Sequence, residues 1–228
     1  PAAPNTGATA ADSSFSTTNT VEAGIDEGDT VKTDGKLLYM LAAGSLRIVT
    51  ADEDTPRLVG SLAFDSYPNR MLLAGKRLIV SGDSWIADEE PQSGGDRTAS
   101  SDVATQIAPV GRQVGMLWEV DITDPAAPVL RRTLQVDGSI LSMRVTGGIA
   151  RVVVRTTPDG LDFVFPSSPK GEARALAANR EVIASSRLED WLGAYELTDG
   201  KGKTLGTGRL ADCSDVSRPT DFHGFTTT

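Results

Sequence analysis

Cysteine is nearly absent. Cys213 is the one thiol in 228 residues, so no disulfide can close within this stretch and the fold must rest on packing and hydrogen bonding. Histidine is equally scarce. His223 is the sole imidazole; a zinc site built on it would need Cys213 and carboxylates, and the Cys213 to His223 spacing matches no zinc pattern. No run approaches the roughly 18 apolar residues that a membrane-crossing helix needs. Positive charge is short as well: 22 Lys and Arg against 31 Asp and Glu leave a formal net charge of −9, with no basic cluster beyond Arg131-Arg132. Such a surface repels phosphate backbones and anionic lipid. Nucleic acid is therefore not an expected partner, and membrane attachment is left to an anchor outside this stretch. There is neither an initiator Met nor a signal peptide. Residues 1–18, rich in Ala, Ser, Thr and Pro and poor in large apolar side chains, are expected to form a flexible linker at the start of a mature or excised product.

What is plentiful is turn chemistry. Gly 23 and Pro 12, against 5% aromatics, describe a chain of many short elements. Its organising stretch is Asn19 to Leu41, where Val31, Leu37, Tyr39 and Leu41 flank Asp34-Gly35, a hairpin signal fronted by an acidic loop. Alternation then continues at 45–50 and 57–63, so strands are expected at 30–33, 36–42, 45–50 and 57–63. The pattern returns forty residues on: Met71-Leu72-Leu73-Ala74 meets Gly75-Lys76, answering Gly35-Lys36, and Arg77 to Ser81 follows. A polar insertion at 84–112 delays the third strand, Val114 to Ile122, and an Asp124-Pro125 turn leads into Val129 to Val136. A third unit opens at Ser139 to Val145, turns at Gly147-Gly148 and runs through Ile149 to Thr156. Within the next insertion Ala173, Leu176, Ala177, Ile183, Ala184, Leu188 and Trp191 recur at helical steps, predicting an amphipathic helix at 172–191 whose apolar stripe lies against the third unit. Trp191 to Leu197 and Thr204 to Leu210 are expected to complete that unit, and a fourth begins near 222–228.

A period near forty residues with four strands per unit is the signature of propeller blades, because one four-stranded sheet cannot bury both faces while twisted neighbours cover each other. The expected fold is all-β: about three four-stranded antiparallel blades (30–63, 69–137 and 139–211) with one inserted helix. Propellers close with about four to eight blades, so these belong to a larger ring whose remaining blades are partners of this stretch. The run V-E-A-G-I-D-E-G-D-T-V-K-T-D-G-K-L-L-Y at 21–39, with D-I-T-D-P-A-A-P at 121–128, L-E-D-W-L-G-A-Y at 188–195 and L-A-D-C-S-D-V at 210–216, is similar to a family of secreted bacterial β-propeller domains of largely undefined biochemical role. The resemblance implies a propeller domain over 19–228. It also implies a secreted or cell-surface location, with the linker leading back to a signal or lipid anchor.

Three sets of residues carry candidate chemistry. Asp26, Glu27 and Asp29, within the acidic loop 22–34, could gather around Ca²⁺, which takes six to eight oxygens, although the spacing is not that of a known calcium loop. The structural alternative is that one of them pairs with Lys32 while Asp29 accepts from backbone amides. Gly82-Asp83-Ser84 after a strand resembles the nucleophile segment of G-D-S hydrolases, with Ser84 and His223 as the catalytic pair. Against this, the late Asp-x-x-His is missing, no helix is expected after the serine, and G-x-S-x-G is absent. Trp85 opens the polar insertion and, with Asp88 and Glu89, is the expected exposed contact, whereas Trp118 and Trp191 are expected to pack and Cys213 to be a small core residue. The combined expectation is a non-catalytic extracytoplasmic scaffold, without a cofactor unless Ca²⁺, that presents loops to a protein or cell-envelope component.

Overall fold

A computed structural model of the chain describes residues 25–51, 55–86, 103–105, 112–158 and 161–216. The linker 1–18 and the start of a fourth unit at 222–228 lie outside them. After a short strand β1 (Ile25–Glu27) come β2 (Val31–Thr33), β3 (Leu37–Ala42), β4 (Ser45–Thr50) and β5 (Leu58–Ala63), a four-stranded antiparallel meander in the order β2-β3-β4-β5. Every strand falls within a residue or so of its expected place. The first turn forms because Asp34 closes it: its Oδ1 accepts from the Lys36 and Leu37 amides at 3.0 and 2.9 Å, and Gly35 takes a φ of +88°. Burial pushes the Asp34 carboxyl up, but those two amides, the Tyr39 hydroxyl at 3.0 Å and the nearby Lys76 charge outweigh it and hold it below the usual carboxylate range. Burial first, and the Asp34 bond second, raise the Tyr39 phenol well above its ordinary value.

The second unit consists of β6 (Tyr67–Ala74), β7 (Arg77–Ile86), β9 (Arg112–Asp121) and β10 (Val129–Asp137), with β8 (Val103–Thr105) inside the insertion. Gly75 has a positive φ of 60° in the same hairpin position as Gly35, so the forty-residue repeat is one of backbone geometry as well as of sequence. The two sheets pack face to face. Tyr39, Leu46 and Ile48 of the first meet Met71, Leu78, Val80, Trp118 and Val120 of the second, joined by Ile122, in one buried cluster. The third unit contributes β11 (Ser139–Thr146) and β12 (Ile149–Arg155); in β11 Ile140 is buried beside Val136 and Met143 is buried against Gly28. Gly115 makes that approach feasible, since a Cβ there would stand 2.9 Å from Ile140.

Residues 25–33 brace the three larger sheets. Strand β1 pairs antiparallel with β11; the Gly28 amide donates to the Met143 carbonyl; Asp29 and Met71 exchange both backbone bonds; and β2 then joins β3.

The expected third unit is corrected in several places. The segments predicted to finish the third blade do form strands, β14 (Ala194–Asp199) and β15 (Thr204–Arg209), but β14 pairs with β10 and not with β12. The second sheet is therefore six-stranded, β15-β14-β10-β9-β7-β6, while the third is β1-β11-β12. The reason is connection length. A hairpin turn of two or three residues forces neighbours to pair, whereas the long insertion between β12 and β14 leaves pairing to whichever edge fits. Here Asp137, at the end of β10, accepts from the Ala194 amide at 2.7 Å and fastens the start of β14 to that edge. Trp191 is also not in a strand: it closes the 3-10 turn Leu188–Trp191.

The helix α1 (Glu172–Ser185) starts where expected but ends six residues before the expected Trp191, and its predicted stripe faces outward. Ala175 is buried, whereas Leu176 and Ile183 are each 52% exposed. Rotation of the helix is set by a polar contact. Asn179 Nδ2 donates to the Val164 carbonyl and its Oδ1 accepts from the Val164 amide, both at 2.8 Å, holding β13 (Val164–Pro166). Strand β13 pairs in turn with β8, so the two insertions dock on each other. No helix among the described residues is long and apolar enough to cross a membrane.

Candidate functional site

The ladder between β7 and β9 runs further than the sequence suggests, with Ser84 opposite Val114, Trp85 opposite Gln113 and Ile86 opposite Arg112. Ser84 and Trp85 therefore belong to a strand, and the insertion leaves the sheet only after Ile86. Trp85 is 56% exposed at the end of this ribbon. Directly opposite residues share a face, as do residues two apart on a strand. Tyr67 lies opposite Asp83, so Tyr67, Asp83, Trp85 and Gln113 occupy one face of the sheet end. Tyr67 is 82% exposed.

Between the two aromatics sits a polar network. Asp83 Oδ2 accepts from Asn69 Nδ2 at 2.9 Å, Asp83 Oδ1 accepts from Gln113 Nε2 at 3.4 Å, and the hydroxyl of buried Ser81 donates to Asn69 Oδ1 at 3.0 Å. Asn69 reaches in because the strand bulges between Pro68 and Arg70. Beside it Arg112 pairs with Asp137 and Arg70 donates to the Leu141 carbonyl at 2.8 Å, which fixes the ribbon against the neighbouring strands. The result is a rigid ledge with two exposed rings flanking an ordered group of amides and a carboxylate.

Ser84 is placed differently from a hydrolase nucleophile. It sits half-buried within a continuous ladder, on the face of buried Val114, and not at a sharp strand-to-helix turn. The preceding glycine is required by packing, because a Cβ at Gly82 would stand 2.4 Å from the Tyr67 carbonyl and 2.7 Å from the Trp118 ring. The second half of the expected pair, His223, lies outside the described residues, as do Asp88 and Glu89.

The acidic loop is occupied by the protein itself. Lys32, with a side chain 2% exposed, pairs with Asp26 Oδ1 at 2.6 Å and donates to the Glu27 carbonyl. Asp26 Oδ2 accepts from the Leu73 amide at 2.9 Å. Glu27 pairs with Arg144 at 3.0 Å, and Asp29 Oδ1 accepts from the Thr30 amide at 2.6 Å. The three carboxylates thus point to three different partners, and among the described residues no group of three or more His, Cys, Asp or Glu is arranged to hold a metal ion. Trp118 is buried against Phe64, ring centroids 4.7 Å apart. Trp191 lies edge-on to Phe163 and donates to Ser186 Oγ at 2.9 Å. Cys213 falls in the 3-10 turn Cys213–Asp215.

The sequence marks Trp85 as an exposed side chain, which it is, and does not mark Tyr67, Asn69 or Gln113. They lie 18, 16 and 28 residues from Trp85 in the chain, and only the register of β6, β7 and β9 gathers them. The one available signal was Tyr-Pro-Asn ahead of an apolar run, which marks a strand start with a bulge.

A family model described as a β propeller domain matches residues 15–228, nearly the whole chain. No curated protein and no solved structure matches.

Proposed function

The chain belongs to the β-propeller domain family, and from that premise we propose that it is a non-catalytic scaffold, secreted or anchored at the cell surface, that engages a protein or cell-envelope component through the ledge at Trp85. The family supports a binding role of this general kind. The finer assignment rests on one observation, the placement of Trp85 and Tyr67 on a single face around the Asp83 network. Exposed aromatics held on a rigid strand lose little conformational entropy on contact, and the amides and carboxylate between them supply directional bonds. Extracytoplasmic placement is supported by the family resemblance alone, while the acidic balance of −9 disfavours nucleic acid and anionic lipid as partners. The remaining blades of the ring are its structural partners, since closure takes about four to eight blades against the three sheets that carry the described units.

Cosedimentation with insoluble cell-envelope material, alongside capture of envelope proteins, tests this. The intact chain should be retained, and Trp85→Ala should weaken retention by about tenfold or more with an unchanged melting midpoint. Equal retention of both, or of neither, would sink the assignment. Ester hydrolysis that disappears in Ser84→Ala would replace it with a catalytic function.

A further inference from the structure

The six-stranded second sheet is wider than the four-stranded sheet it packs on. The shared buried cluster draws on β6, β7 and β9, with Leu130 of β10 at its margin and nothing from β14. The outer part of that face therefore overhangs. Beneath the overhang, walled by residues 63–66 that link the first sheet to the second, lies a cleft of about 210 Å³. The wall is fixed, because the Phe64 amide donates to the Gly44 carbonyl at 2.9 Å and the Phe64 ring leans on Trp118. The ladder sets out the remainder in two rows, Trp118 beside Thr133 and Thr198, and Met116 beside Gln135 and Glu196. The floor is thus aromatic and thioether. The rim carries two carboxylates, Asp65 and Glu196, the latter oriented by the Thr204 hydroxyl at 2.7 Å, and no basic residue among the described residues lines the cleft.

We propose that this cleft binds an alkylammonium group. A ligand there meets hydrogen-bond acceptors and negative charge at the rim, which attract a cation and turn away anions, and Phe64, Met116, Leu130 and the small exposed part of Trp118 below, which suit an alkyl stem. The same chemistry is offered by a free small amine and by a lysine side chain of a protein partner. The site is separate from the Trp85 ledge: Trp118 lies opposite Val80, and Val80 and Trp85 project from opposite faces of β7. Its success or failure is therefore independent of the scaffold reading.

The test is a titration of the intact chain, followed by tryptophan fluorescence, with butylammonium, with its isosteres butanol and butyrate, and with a short lysine-bearing peptide. Butylammonium or the peptide should saturate the signal, and the isosteres should bind at least about tenfold more weakly. Asp65→Asn and Glu196→Gln, checked for an unchanged melting midpoint, should each cost about tenfold in affinity, while Trp85→Ala should leave affinity unchanged. Tighter binding of the peptide than of the free amine assigns the site to a protein lysine, and the reverse assigns it to a small amine. No saturation by either, equal binding of butanol, unchanged affinity in both carboxylate variants, or loss of binding in Trp85→Ala would each overturn the proposal.

Discussion

The stretch Val31–Ala63 and the stretch 139–210 are alike in strand propensity and unlike in how their strands find partners. In the first, two tight turns and one seven-residue connection join four strands, and chain neighbours are sheet neighbours throughout. In the second, β11 and β12 share the Gly147-Gly148 turn and pair as neighbours, after which the chain runs through β13 and α1 before β14 appears on the far side of β10. Short turns make pairing a local property, because closing a small loop leaves only one edge within reach. A long connection removes that restriction at little entropic cost, and the edge with the best contacts prevails.

The brace at residues 25–33 is where the comparison can be broken most forcefully, since it ties the locally paired first sheet to the other two. Replacing Asp26 with Ala strands the buried Lys32 ammonium and frees the Leu73 amide, and should cost about 2–3 kcal/mol of global stability. Urea denaturation measures it, and a loss below about 0.5 kcal/mol would show that the brace is ornamental. The double change Asp26→Ala with Lys32→Met should recover part of the loss, because no unpaired charge is then left inside.

A smaller and more local effect belongs to the long-connection region. Asn179→Ala removes both bonds to Val164, and should raise the hydrogen-exchange rate of the Val164 amide by about tenfold while the melting midpoint of the chain stays put. A fall in the global midpoint instead would mean that the docked insertions are part of the core and not an annex to it. The smallest effect lies in the first sheet. Ala43 holds a positive φ of 49° in the turn between β3 and β4, a conformation that an alanine resists. Ala43→Gly should therefore stabilise by about 0.5 kcal/mol, read as a higher denaturation midpoint, and a destabilisation would show that the turn is set by its flanking strands alone.

Much of the architecture was legible because it is written in short-range terms. Asp34-Gly35 and Gly75-Lys76 mark turns through the backbone freedom of glycine, and Leu46, Ile48, Leu78 and Val80 mark inward faces through period-two alternation. That one of the loop's acidic residues pairs with Lys32 is expected from the sequence, and the structure makes that residue Asp26. The rotation of α1 was not legible. Its apolar residues trace a stripe through Leu176 and Ile183, yet the bidentate hold of Asn179 on a strand that exists only when the insertions meet turns that stripe outward. The ledge was half legible, through Trp85 alone.

From its residues alone the chain determined that it would be antiparallel β, in units of about forty residues, with hairpins at its glycines and a helix in its second insertion. Those features depend on contacts between residues a few positions apart, and a window of sequence contains them. Tertiary structure alone decided that β14 would widen the second sheet, that the overhang would leave a cleft beneath it, and that Tyr67, Asn69 and Gln113 would meet Asp83 and Trp85. Each of these depends on register and edge choice between segments far apart in the chain, where many pairings satisfy the same alternation and only the packed whole selects one.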